Sequence, residues 1–107
     1  GLAGVDGLEL PGIPSFPHVH AWHLFVVKVT AMSRERFLAR LSDYNIGYGL
    51  HFPATHRLRY VRERYGDCAA ALPKTERAAD LIVSLPLYPG MSDDDADYVC
   101  DAVREIL

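Results

Sequence analysis

Apolar and polar positions along this chain switch between two periods. Residues 21–30, Ala21-Trp22-His23-Leu24-Phe25-Val26-Val27-Lys28-Val29-Thr30, form a nearly unbroken apolar run rich in aromatic and β-branched side chains. Such a run predicts a strand covered on both faces. The period then lengthens. Ser33 is a good N-cap, and Phe37, Leu38, Leu41 and Tyr44 recur at helical spacing, with Asn45 as the stop. Ile46-Gly47-Tyr48-Gly49-Leu50-His51-Phe52 predicts a second strand, closed by Pro53. Its two glycines point to close approach by another backbone or a ligand. Thr55 is expected to cap a helix reaching Tyr65, with Leu58, Val61 and Tyr65 inward and Gly66 as its end. Pro73 suits the first turn of a short helix over 74–79. Leu81-Ile82-Val83-Ser84-Leu85 predicts a third strand. Ser92 then caps a last helix whose apolar stripe is Ala96, Val99, Cys100, Val103, Ile106 and Leu107.

The first 17 residues follow neither period. Pro11, Pro14 and Pro17 disfavour helix and central strand, so residues 1–17 are expected to be an extended segment joined to something upstream. The start Gly1-Leu2-Ala3-Gly4, without a methionine, is expected to be a cut end. The element order predicts an α+β domain over 18–107: a small, three-stranded, mainly antiparallel sheet with helices on one face. A length of 107 residues suits one such domain, and half of them are apolar, enough for a single core. The net charge of -3 provides no basic field for nucleic acid. No apolar run is long enough to span a membrane, and no signal peptide is recognisable. Cys68 and Cys100 lack paired spacing and read as free thiols in a reducing compartment, which makes the cytoplasm the expected location.

Several side chains bear chemistry. His18, His20 and His23 cluster, but in a strand His18 and His20 face away from His23, and no acid or cysteine completes a metal set. His23 reads as a hydrogen-bonding group in a core or at a domain seam. His51 stands at a strand end, beside glycines and before a proline, where side chains are presented to clefts. A buried structural role for it is the competing reading. His56 follows closely, either sharing a pocket with His51 or lying on an exposed helix start. Arg57, Arg59, Arg62 and Arg64 make a solvated face or a contact for an anionic group. Asp93, Asp94 and Asp95 sit where a helix dipole favours negative charge, without the glycine and glutamate of a calcium loop. Lys28 and Lys74 are the only lysines, and neither position suggests the desolvated amine of a Schiff base.

Three ordered segments carry a resemblance. They are His20 to Val29, Ile46 to His56, and Ser84-Leu85-Pro86-Leu87-Tyr88-Pro89-Gly90-Met91-Ser92 continuing to Val99. Together they resemble the C-terminal small domain of the DegT/DnrJ/StrS-type sugar-nucleotide aminotransferases, pyridoxal-phosphate enzymes of the aspartate-aminotransferase fold. The middle segment, continued by Arg57 to Tyr65, is most similar to the UDP-4-amino-4-deoxy-L-arabinose aminotransferase branch. The resemblance implies that the Schiff-base lysine and the phosphate grip lie in a large domain outside this chain. It implies homodimers with shared active sites, and amino transfer, typically from glutamate, to a keto-sugar nucleotide. His51 matches a family histidine near the substrate, and His56 and Arg57 would neighbour the same cleft. No catalytic, cofactor-binding or metal-binding residue is expected in the chain itself, and a fragment alone would be inactive. A free-standing α+β ligand-binding or regulatory module is the alternative.

Overall fold

The computed structural model describes residues 1–107. Its sheet has the order β1 (Leu8–Glu9), β2 (Phe25–Val29), β3 (Ile82–Leu85), with both pairs antiparallel. The helices are α1 (Arg34–Asp43), α2 (Arg59–Tyr65), α3 (Pro73–Leu81) and α4 (Asp93–Ile106), and single 3-10 turns occupy Thr55–Arg57 and Ala69–Ala71. This is the expected α+β class. No helix is long and apolar enough to cross a membrane.

One face of the sheet builds the core. Val27 lies opposite Val83 and Phe25 opposite Leu85, so these four side chains share a face. Val27, Val83 and Leu85 meet Phe37 and Leu41 of α1 and Val99, Val103 and Ile106 of α4 in one buried cluster, with half-buried Phe25 packed against it. The caps agree with the sequence. Ser92 Oγ accepts from the Asp95 N–H at 3.1 Å, and the Asp95 carboxylate accepts from the Ser92 N–H at 3.1 Å, a reciprocal capping box. Ser33 Oγ accepts from the Arg36 N–H, and Asn45, at φ 54°, takes the left-handed turn that stops α1.

The opposite face corrects the reading of residues 21–30. It carries Val26, Lys28 and Ser84, and Lys28 Nζ donates to Glu9 at 2.8 Å. The run is therefore covered on one side within this chain. It also starts later, because Trp22 at φ 45° turns the backbone before Phe25.

A second correction concerns the strands. Residues 46–52 do not form a regular strand: only Gly49 bridges to Ser84, through N–H···O bonds of 2.9 and 2.8 Å. The third strand is Leu8–Glu9, inside the segment expected to be extended. It precedes Pro11, so its N–H groups are intact for pairing, and Leu2 and Leu8 bring apolar surface to the core. Gly7 makes the approach possible, since a Cβ there would stand 2.2 Å from the Ala31 Cβ.

A third correction is the helix expected from Thr55 to Tyr65. Leu58 is extended (φ -65°, ψ 137°) and separates the 3-10 turn from α2, and Leu58 and Tyr65 are exposed. A short, arginine-rich helix without an apolar partner has no inner face to bury. α3 extends to Leu81 from a proline in its first turn, as expected of that residue.

Candidate functional site

His51 reaches its place through the departure of the chain from the sheet. After the Gly49 bridge the backbone turns away, and the imidazole folds back over Gly49. A Cβ at Gly49 would stand 2.2 Å from His51 Cε1 and 2.8 Å from Nδ1. The close approach expected at the glycines is thus made, at Gly49, by the chain's own histidine. Gly47 has open space around it.

His51 Nδ1 lies 2.9 Å from Ser84 Oγ, a hydrogen bond. Ser84 is buried on β3, with its side chain on the opposite face from Val83 and Leu85. The bond occupies Nδ1 and leaves Nε2 without a partner in the chain. The Phe52 ring meets the imidazole edge-on at 5.2 Å. His51 also lines a hollow of about 570 Å³ with Tyr48, Ser84, Pro86, Tyr88 and Tyr98. The hollow combines an apolar floor with phenol, imidazole and hydroxyl groups, a composition suited to a polar organic ligand. Ser84 escaped the sequence reading as a site residue. The signal available for it was the two-residue alternation that puts it on the face away from the core.

His56 and Arg57 lie elsewhere. Neither lines this hollow. Both meet Glu76 of α3, another residue that sequence reasoning missed. His56 is buried and bonds the Glu76 carboxylate through Nε2. Arg57 Nε donates to Glu76 Oε1 at 2.8 Å and Nη2 to Oε2 at 2.9 Å, while Nη1 donates to Asp80 Oδ1 at 2.6 Å. Glu76 and Asp80 are one helical turn apart, so one guanidinium forks across both. Arg34, at the start of α1, donates to the Ala79 carbonyl near the other end of α3. The remaining arginines of the basic stretch are also engaged: Arg59 with Glu63 at 2.7 Å, Arg62 with Asp67 at 3.7 Å, and Arg64 over the Tyr65 ring.

The electrostatics of this cluster follow from its geometry. The hydrogen bonds from Arg57, then from His56, lower the Glu76 carboxyl from its ordinary 4.5 to about 2. Arg57 likewise holds Asp80 below the usual carboxylate range. A lowered folded-state value means that the cluster's contribution is complete above pH 4.5 and is lost as the pH falls towards about 2. Urea midpoints measured across that window are expected to fall with pH, and Glu76→Gln to flatten the slope. An equal slope in the variant would remove Glu76 from the acid response.

The other sequence candidates are placed as follows. His18 Nδ1 is bonded to the Phe16 carbonyl at 2.9 Å, and His20 Nδ1 accepts from the Trp22 N–H at 2.8 Å with the two rings stacked. His23 is exposed, not set in the core. Both cysteines are free and half-buried. Lys28 is 46% exposed and paired with Glu9, and Lys74 is exposed in the first turn of α3. Neither is a desolvated amine, so the residues of this chain do not fit a Schiff-base cofactor site.

Comparison with known proteins places the sequence and fold of this chain among relatives. The model of the DegT/DnrJ/EryC1/StrS aminotransferase family matches residues 1–104. The UDP-4-amino-4-deoxy-L-arabinose–oxoglutarate aminotransferase of Shewanella sediminis (strain HAW-EB3) is 39% identical over 114 residues, covering 99% of this chain and 29% of that protein. Among solved structures, DesV of S. venezuelae in complex with a ketimine intermediate is 30% identical, with a TM-score of 0.84 over 96% of this chain and 27% of its own. The aminotransferase TlmJ of Streptoalloteichus hindustanus is 28% identical, with a TM-score of 0.82 over 98% of this chain and 27% of its own. The chain therefore spans under a third of the length of the relatives it matches.

Proposed function

We propose, for a chain that belongs to the DegT/DnrJ/EryC1/StrS aminotransferase family, that it is the C-terminal small domain of an enzyme that aminates a keto-sugar nucleotide. The substrate is of the UDP-4-keto-pentose type and the amino donor is glutamate. The 39% identity to an arabinose-branch relative over almost the whole chain carries this reading. The product would serve cell-surface polysaccharide or lipopolysaccharide synthesis in the cytoplasm.

Pyridoxal phosphate, held by the large domain, supplies the electron sink for amino transfer. The residues of this chain contribute binding. His51, fixed through Nδ1 by Ser84, offers Nε2 to a sugar or nucleotide oxygen in the hollow. His56 and Arg57 act beside it by holding the segment in place, through Glu76 and Asp80. Residues 1–17 connect to the large domain, with Leu8–Glu9 also serving as the sheet edge. Ile13 and Val19, 87% and 99% exposed, lie along this connection and its continuation and are suited to packing on the large domain of a homodimeric enzyme.

The test is direct. The longer protein that contains this chain, given pyridoxal phosphate, glutamate and a UDP-4-keto-pentose, is expected to form the UDP-4-amino sugar and 2-oxoglutarate. The 107-residue chain alone is expected to give no product and no borohydride-stable adduct at Lys28 or Lys74. A stoichiometric adduct with turnover on the isolated chain would overturn the proposal. Ligand binding by a chain that no larger gene product contains would favour a free-standing module.

A further inference from the structure

We propose that Glu76 is a positioning residue for His51, acting across the turn that joins them. The inference rests on the reading that His51 meets the substrate. Residues 50–53 make no backbone hydrogen bond and belong to no helix or strand. The imidazole is thus carried by a stretch suspended between two anchors. The first is the Gly49–Ser84 bridge. The second is the turn at Thr55–Arg57, which is bonded to α3 only through His56 and Arg57.

Packing cannot replace that second anchor. α2, which follows, buries no residue, and Leu58 between the turn and α2 is exposed. Of the two acids, Glu76 is the one that accepts from both His56 and Arg57, and its side chain is 30% exposed against 61% for Asp80. Replacing the carboxylate by an amide keeps one acceptor oxygen and turns the other position into a donor, so the bond to His56 and the two-armed Arg57 fork cannot all be kept. The Ser84 bond then has to hold His51 against a freely moving turn. A misplacement of about an ångström at a substrate-positioning group can cost up to about 100-fold. Glu76 touches nothing in the hollow, so its effect on substrate must pass through His51.

The test has two arms. In the full-length protein labelled with 15N-histidine and methyl-labelled valine, Glu76→Gln is expected to shift and broaden the His51 ring signals, while methyl signals of Val27 and Val103 stay in place. In the full-length enzyme the same variant is expected to raise KM for the keto-sugar nucleotide by about 10-fold with a smaller change in kcat. Should Glu76→Gln fail to fold, Arg57→Lys removes the fork while keeping a charge, and the same His51 signals are read. Lower thermal stability with unmoved His51 signals overturns the proposal, since a purely structural brace would do that. A His51→Ala enzyme with unchanged KM would count against the substrate reading, and the ring signals would still decide the positioning role.

Discussion

In the proposed aminotransferase, replacing His51 by alanine is expected to lower kcat/KM for the proposed keto-sugar nucleotide by about 10- to 100-fold, the cost of one lost hydrogen bond to a charged or strongly polar group. In the proposed role His51 binds substrate through Nε2, with Nδ1 held by Ser84, so the loss should appear mainly in KM. Gly49→Ala is expected to reproduce it without touching the imidazole chemically. The new Cβ would stand 2.2 Å from Cε1, so the ring must leave its seat on Ser84. Ser84→Ala should give a smaller loss, since it frees Nδ1 but leaves the ring room to stay. Steady-state kinetics with the sugar nucleotide varied at saturating glutamate reads all three. An unchanged kcat/KM for His51→Ala would place the substrate elsewhere.

Phe37→Ala is expected to cost about 3–5 kcal/mol of stability, the range for truncating a fully buried aromatic side chain. Phe37 is fully shielded, in the cluster that joins α1, the sheet and α4. Deleting its ring removes transfer energy and leaves a void that Leu41, Val27 and Val103 cannot all close. Domains of this size hold about 5–15 kcal/mol in total, so the variant should lose a large part of its margin. Urea unfolding followed by far-ultraviolet circular dichroism is the measurement. A midpoint close to the parent's would mean that this core does not carry the fold.

The sequence readings that held rest on local physics. The caps at Ser33 and Ser92 satisfy orphan N–H groups within three residues, so the residues that make them stand side by side in the chain. The core residues of α1 and α4 recur at helical spacing for the same reason. The readings that moved all depend on distant partners. Whether 46–52 becomes a strand depends on how far Ser84 and its neighbours extend the pairing, and the bridge stops at Gly49. That Leu8–Glu9 replaces it depends on the free edge of β2, 19 residues away from Glu9 at Lys28.

The site divides along the same line. Sequence by itself determined the α+β class, the caps and the family likeness, because each is encoded in short patterns. Tertiary structure alone decided what His51 faces, that Ser84 orients it, and that His56 and Arg57 turn to Glu76 and Asp80 instead of the hollow. Those pairings join residues 19 to 33 positions apart. A carboxylate can pair with any cation that the fold brings near, so charge pattern lists the candidates and only packing selects among them.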